Sequence, residues 1–500
     1  MSSRIVAPVL VTSLLFAAAA AWAHGAYREV DLVSDLDGRA LRTDANVVNP
    51  WGLVVTPLGT IRVASNGTAT SEIFGPAGRK RGRTFAIPTA ADHGPTGVVL
   101  NGDRNAFKLH LSEHTAPAIY IFCGQDGSLS GWNPALDVDH AIRTSLDAEG
   151  VYTGLALARA GGKPYLYVAN FAAGKVEVYD SDFAETNLDG DFKDTALPDG
   201  YSPFNVQKIG SDLFVAFAKR APSGDEQAGA GLGIVSEFDS KGHFIRRVAS
   251  NGELNAPWGL ARAPKNFGRF SGALLVGNFG NGRINAFDFA SGSFLGAIED
   301  AHGEEIAIAG LWGIAVGGGS FDRDDADDDA AAKDATAQAM AAGEEPADVV
   351  ERSADTFHGG HEKGDGRGVA RLYFAAGIEE EAHGLFGFIA PVPDEQSGST
   401  PAAGSTVTKP APIGPLHSPI RLADGRVRFS IDAAFDEPVD LRVYDTAGRL
   451  VATPASGVVG LSEVSWDGIG PDGARAPAGI YFYRIQSPTR STGGRFVILP

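Results

Sequence analysis

Short apolar runs alternate with Gly-rich turns along most of this chain, and they return in a fixed order. Each unit opens on a run that is apolar at consecutive positions, such as Gly52-Leu53-Val54-Val55, Gly154-Leu155-Ala156-Leu157 or Gly259-Leu260-Ala261. A second apolar run follows a turn: Ile61-Arg62-Val63-Ala64, Tyr165-Leu166-Tyr167-Val168, Leu274-Leu275-Val276. A third alternates with period two, as in Val176-Glu177-Val178-Tyr179 or Ile284-Asn285-Ala286-Phe287. A run that is apolar throughout is a strand buried on both faces, and alternation marks a strand nearer solvent. The pattern therefore predicts small antiparallel sheets whose first strand is the innermost.

The start of each unit carries Trp-Gly-Leu or a variant of it. The copies are Trp51-Gly52-Leu53, Thr96-Gly97-Val98, Thr153-Gly154-Leu155, Phe204-Asn205-Val206, Trp258-Gly259-Leu260 and Trp312-Gly313-Ile314. Their middle residues are 45, 57, 51, 54 and 54 residues apart. A repeat of that length made of short strands predicts a β-propeller with one blade per repeat, so an all-β, six-bladed ring is expected. Blade six is expected to use Leu311–Val316, Arg371–Phe374 and Leu385–Ile389, with no fourth strand after them. The segment Tyr27–Val33, ahead of blade one, reads as the missing outer strand that closes the ring.

With Asn49-Pro50-Trp51-Gly52-Leu53 and Ala256-Pro257-Trp258-Gly259-Leu260, the chain resembles the NHL-type six-bladed propellers over about residues 27–390. Gly200–Gln207 and Gly124–Pro134 add a resemblance to a family of secreted bacterial proteins. These resemblances imply a propeller and export, and no particular activity.

Beyond the ring (residues 24–390), the composition changes twice. Pro, Ser, Thr, Gly and Ala dominate residues 391–415, the composition of an extended linker. Residues 416–500 then show six strand-like runs: Arg426–Ile431, Val439–Tyr444, Leu450–Thr453, Glu463–Trp466, Gly479–Ile485 and Arg495–Leu499. A hairpin turn is expected at Asp445-Thr446-Ala447-Gly448. The runs Arg442–Val451, Trp466-Asp467-Gly468 and Pro477–Tyr483 resemble the Ig-like domain of the flagellar-hook capping protein. That resemblance implies a small Ig-like or fibronectin-III-like β-sandwich used as a spacer, surface attachment or sorting module. Trp466, Tyr481 and Tyr483 are expected in its core.

Residues 1–23 read as a secretory signal peptide. Arg4 gives a basic start, Ile5–Ala21 is mostly apolar, and Ala21-Trp22-Ala23 fits a cleavage site. The rival reading is a membrane anchor, but the apolar run is only about 17 residues. Cleavage is expected, leaving no transmembrane span and an extracellular, cell-surface or periplasmic protein. The single cysteine, Cys123, lies in a strand-like run and cannot make an internal disulfide. A buried small hydrophobe is the expected role rather than a reactive thiol.

The net charge is −19, which argues against nucleic-acid binding. About half of it falls in residues 320–366, with 14 acidic and 4 basic residues, an insertion between the first two strands of blade six. A solvated acidic loop is expected. Calcium is the sharper reading of Asp322–Asp329, but the Gly and Glu of an EF-hand loop do not fall in register. Asn187-Leu188-Asp189-Gly190-Asp191 is a second candidate calcium loop, and His358-Gly359-Gly360-His361-Glu362 offers two imidazoles without an evident third ligand. No cofactor is otherwise indicated.

In a propeller the residues ahead of each motif glycine converge on the central channel. Here they are Trp51, Thr96, Thr153, Phe204, Trp258 and Trp312, which contain no carboxylate and no strong hard-metal ligand. The metal site of gluconolactonase-like propellers and the His/Glu pair of related lyases are therefore not expected. Two readings of the rings remain open: a stacking floor for a ligand, or wedges that pack the channel. His93, His110, His114 and His140 fall in or near blade two without metal-motif spacing. The expected function is a non-enzymatic binding or adhesion platform for an extracellular or cell-surface protein or glycan. The alternative is a hydrolase or lyase with a site at the channel mouth.

Overall fold

The computed structural model describes residues 25–317 and 370–392 apart from Asp92, and most of residues 414–498. The signal-peptide, acidic-insertion and His358–Glu362 readings, and nearly all of the linker, lie outside the described residues. The chain divides into two compact units, Met1–Glu395 and Gln396–Pro500.

The first unit is a ring of six antiparallel sheets. The innermost strands are Pro50–Val55, Pro95–Leu100, Tyr152–Ala160, Tyr201–Ile209, Pro257–Arg262 and Leu311–Gly317. Each lies beside the next, and Leu311–Gly317 lies beside Pro50–Val55, so the ring is closed. Closure is completed in blade six, where Tyr27–Ser34 pairs antiparallel with His383–Pro391. The short strand Arg42–Thr43 adds a parallel fifth member. The N-terminal strand is anchored by its side chains as well: the buried Tyr27 hydroxyl donates to the Phe267 carbonyl at 2.8 Å and accepts from the Phe270 amide.

Six apolar clusters fill the spaces between neighbouring blades, and a seventh sits on the axis. This is why the innermost strands read as continuous apolar runs: both of their faces meet another blade. The longest step between motifs, 57 residues, has a structural cause that periodicity did not predict. Blade two carries an extra two-stranded ribbon, Lys108–Leu111 with His114–Pro117, between its first two strands. In blade one, which spans the shortest step, the outermost strand is only Phe85–Ala86.

The motif marks a β-bulge in every blade. The ladder between the first and second strands slips between Pro50 and Leu53, Tyr152 and Gly154, Pro203 and Asn205, Pro257 and Gly259, and Leu311 and Ile314. In blade two the same slip leaves Thr96 unpaired. A bulge adds a residue to one strand and re-aims its side chain. The following glycine lets the neighbouring blade approach: a methyl on Gly52 would lie 2.8 Å from the Gly97 Cα, and one on Gly313 would collide with the Trp51 carbonyl.

The second unit is a β-sandwich. One sheet is Leu450–Val458, Val439–Tyr444, Gly479–Gln486 and Ser491–Ile498, and the other is built on Val427–Ala433 and Gly460–Trp466. Trp466, Tyr481, Tyr483, Phe429 and Phe496 form its buried core.

Candidate functional site

The innermost strands all start on one face of the ring. Antiparallel order brings the hairpins between second and third strands to the same face. Around the axis there, the six residues ahead of the motif glycines come together, each 0–5% exposed. Trp51 stacks on Trp312 at 3.4 Å between ring centroids, and Trp258 meets both edge-on at 6.5 and 6.1 Å. Phe204 leans on Trp312 and Phe171. These rings are packing against one another rather than presenting an open floor.

Hydrogen bonds tie the same positions across blades. The Trp258 indole donates to the Thr153 carbonyl at 2.8 Å, and the Thr96 hydroxyl to the Tyr152 carbonyl at 2.7 Å. Trp51 and Trp312 both donate to the Asn49 side-chain oxygen, at 3.1 and 3.2 Å. Asn205 stands where the other blades have glycine, and its amide reaches the Trp258 carbonyl at 2.8 Å. A cavity of about 20 Å³ lies against this plug, lined by Gly52, Gly97, Asn205, Gln207, Trp258 and Gly313. That is room for about one water and not for an organic ligand.

What the face offers to solvent lies just outside this plug. Phe279, in the blade-five hairpin, is half-buried and stacks on Trp312 at 4.0 Å. Asn49 donates to the Glu381 carboxylate at 2.8 Å. Glu381 ends a run of three left-handed residues, Glu379, Glu380 and Glu381, at φ of 54°, 58° and 68°. Such conformations are costly for residues with a side chain and persist where surrounding contacts hold them. Glu226, in the long blade-four hairpin, is half-buried and within Coulombic range of Glu381. Burial pushes the Glu226 carboxyl up to about 7, with the Glu381 and Asp225 charges adding to it. Burial likewise raises Glu381, and the Asn49 hydrogen bond opposes the shift. Arg220, bridged to Glu226 across the blade-four hairpin, donates its guanidinium to the Ala172 carbonyl and lies over the Phe171 ring.

The roles of Asn49, Phe279, Glu226 and Glu381 escaped sequence reasoning. Asn205 was visible as the one motif without glycine. Glu226 and Glu381 lie in hairpins with no periodic mark.

Other candidates separate in space or are engaged locally. His110 bonds Thr115 on the blade-two ribbon, and His140 bonds Asp137. His93 sits in the loop that leads into blade two. In the Asn187–Asp191 loop, Gly190 donates to the Lys241 carbonyl and Asp191 pairs with Lys193 at 2.8 Å. Among the described residues no group of three or more His, Cys, Asp or Glu is placed to hold a metal ion. Cys123 is fully buried, and burial pushes its thiol up to about 12, away from thiolate reactivity. Among the described residues no helix is long and apolar enough to cross a membrane.

Ring and sandwich together define a six-bladed β-propeller protein with a C-terminal Ig-like domain. Residues 418–491 match the FlgD Ig-like domain family. The chain is 33% identical over 294 residues to uncharacterized protein R648 of Acanthamoeba polyphaga mimivirus, across 57% of this chain and 72% of that protein. It is 31% identical to protein L690 of the same virus, across 57% of this chain and 77% of that protein. The chain belongs to the family of these mimivirus proteins. The matching relatives are viral, whereas the sequence resemblance pointed to bacterial secreted proteins.

Similar solved structures include a Bacteroides thetaiotaomicron protein of unknown function, with 11% identity and a TM-score of 0.41 over 74% of this chain and 76% of that one. The α-L-arabinofuranosidase Arb93A of Fusarium graminearum gives 10% and 0.41 over 72% and 97%. Virginiamycin B lyase of Staphylococcus aureus gives 13% and 0.31 over 58% and 78%. Likeness at this level carries no argument about activity.

Proposed function

We propose that this chain is an exported binding platform. The propeller presents the face around the channel mouth to an extracellular or cell-surface protein or glycan, and the Ig-like domain acts as spacer or attachment module. The observation that carries this reading is the filled axis. Trp51, Trp258, Trp312 and Phe204 occupy the place where a substrate would enter, packed together and buried. A ligand must then be met by the outer rim, which suits recognition of a surface better than enclosure of a small molecule. Export rests on the Arg4, apolar-run and Ala21-Trp22-Ala23 pattern.

A second reading has one specific observation in its favour. Glu226 and Glu381 are two carboxyls with raised proton affinity on the same rim, the property expected of a general acid. One experiment separates the two. The full chain is screened on glycan and peptide arrays and, in parallel, against chromogenic ester, lactone and glycoside substrates, with elemental analysis before and after chelation. Array binding without turnover is expected. Turnover that disappears in Glu226→Gln or Glu381→Gln, with unchanged thermal melting, would replace the platform by a hydrolase or lyase.

A further inference from the structure

We propose that the outer face of the Ig-like domain's four-stranded sheet binds a carboxylate-bearing glycan, with sugar rings packed on Tyr444 and Phe482 and carboxylates held by Arg484 and Arg495. This gives the attachment role of that domain a partner of defined chemistry, and it rests on the exported-platform reading.

Strand register places these residues side by side. Leu450 lies directly opposite Tyr444, Tyr444 opposite Phe482, and Phe482 opposite Arg495, so one row crosses all four strands. Their chain neighbours Val443, Tyr481, Tyr483 and Phe496 are buried in the sandwich core. Strand alternation therefore turns the row outward. Leu450, Ile480 and Phe482 are 52, 45 and 44% exposed, and Tyr444 is half-buried. Apolar groups gathered on one exposed face, rather than scattered singly, mark an interaction site.

The next row along the same strands is cationic. Arg442 lies directly opposite Arg484. Like charges so placed destabilise a sheet, and an anion between them relieves the cost. Asp440 takes Arg442 at 3.1 Å. The guanidinium groups of Arg484 and Arg495, both exposed, make no ion pair or hydrogen bond among the described residues. Residues 416–500 hold nine Arg and nine Asp or Glu, so the domain is neutral in a chain of charge −19 and adds no repulsion toward an anion. Rows on one face of a strand lie about 7 Å apart. A sugar ring resting on Phe482 thus brings its carboxylate to Arg484 or Arg495, where a guanidinium fork donates two parallel hydrogen bonds.

Backbone and extent decide the occupant. Val439–Tyr444 and Gly479–Gln486 are the two inner strands of the sheet, paired on both sides, so no partner strand can add to them. Recognition falls to the side-chain tips. Four strands and three rows, those of Ile480, Phe482 and Arg484, span about 14 Å each way, roughly 200 Å². Each partner in a stable protein complex buries about 800 Å². A second copy or another folded protein needs more surface than this patch offers, whereas two or three sugar units cover it. The face is flat, and its rings and aliphatic groups match the C–H face of a pyranose.

The test titrates the full chain by calorimetry with hexamers of galacturonate, mannuronate and hyaluronan and with the neutral methyl ester of each. Hexaglutamate and phosphatidylglycerol vesicles are titrated alongside. Saturable binding of at least one uronate hexamer is expected, with its ester at least tenfold weaker. Phe482→Ser and Arg484→Gln should each weaken binding about tenfold, and Arg484→Lys about threefold, because a point charge replaces the fork. Absence of binding by all three hexamers would overturn the proposal, as would hexaglutamate or vesicles binding as tightly as the best hexamer. Unchanged affinity in the Phe482→Ser/Arg484→Gln double variant would overturn it too, moving glycan recognition to the propeller and leaving the platform standing. The platform reading fails separately, by substrate turnover. If Phe482→Ser disturbs melting of the Ig-like domain, the exposed Arg484→Gln and Arg484→Lys variants still decide the matter.

Discussion

Asn205 does at blade four what glycine does in the other five blades, by a different route. The other motifs remove the side chain so that backbones can touch, whereas Asn205 keeps one and uses its amide as the bridge. Its Nδ2 serves the Trp258 carbonyl, its oxygen takes the Val206 amide at 2.8 Å, and it occupies the space that Gly154 leaves open. Asn205→Ala removes the donor and leaves a buried carbonyl unsatisfied, so a loss of about 2 kcal/mol is expected in urea unfolding. Glu72 gives a residue-scale prediction with a pH signature. It is fully buried, accepts hydrogen bonds from Ser65 and Thr70 at 2.8 and 2.7 Å, and burial pushes its carboxyl up to about 7. Its folded-state pKa is thus above the unfolded value of 4.5, so the folded protein holds the proton longer. The stabilising contribution is complete below pH 4.5, declines through pH 7 and levels off above it, a change of roughly 3 kcal/mol. Glu72→Gln should lack that decline, which unfolding measured at pH 5 and pH 8 will read. An equal drop in both proteins would assign it elsewhere.

The elements were legible wherever burial on both faces dictates composition. The innermost strands could be read because each one packs between two blades, and Tyr27–Val33 could be read as the closing strand because blade six lacked one. Deleting residues 24–34 removes the ladder to His383–Pro391 and the Tyr27 anchor in blade five. It should lower the melting temperature by roughly 10 °C or more, and an unchanged melting curve would refute closure by this strand. Features set by contacts between distant loops were not legible. The motif recurred visibly, but that it encodes a bulge in all six blades follows from the register of a partner strand, which no local window contains. The Lys108–Pro117 ribbon showed only as an over-long repeat. The rim carboxyls were invisible because Glu226 and Glu381 are 155 residues apart and reach the same face only when blades four and six close around one axis. The six channel residues, in contrast, were legible as a set, since the bulge places each in the same position. Whether they would form a floor or a plug depended on ring-to-ring distances.

At the scale of the whole molecule, the two units are stabilised by different means and should fail separately. The propeller has no disulfide and no free seam: six interblade cores and one axial cluster share the load around a closed ring. Removing any one blade interface opens the ring, so the propeller should unfold in one cooperative step. The sandwich owns its core, in which Trp466 meets Tyr481 and Phe496 edge-on at 6.0 and 6.1 Å and donates its indole to the Ile469 carbonyl at 2.9 Å. Every residue of that core comes from the second unit. Calorimetry of the full chain should therefore resolve two transitions, the smaller enthalpy belonging to the Ig-like domain because enthalpy scales with the number of residues ordered. Trp466→Ala, which costs about 3–5 kcal/mol at a packed core position, should move or abolish the smaller transition and leave the larger one in place. Trp312→Ala should do the reverse, since its indole joins blade six to Asn49 of blade one and supports Phe279 at the mouth. If either substitution shifts both transitions together, the two units share a stability that their separate cores do not explain, and the Ig-like domain would then be part of the platform rather than its spacer.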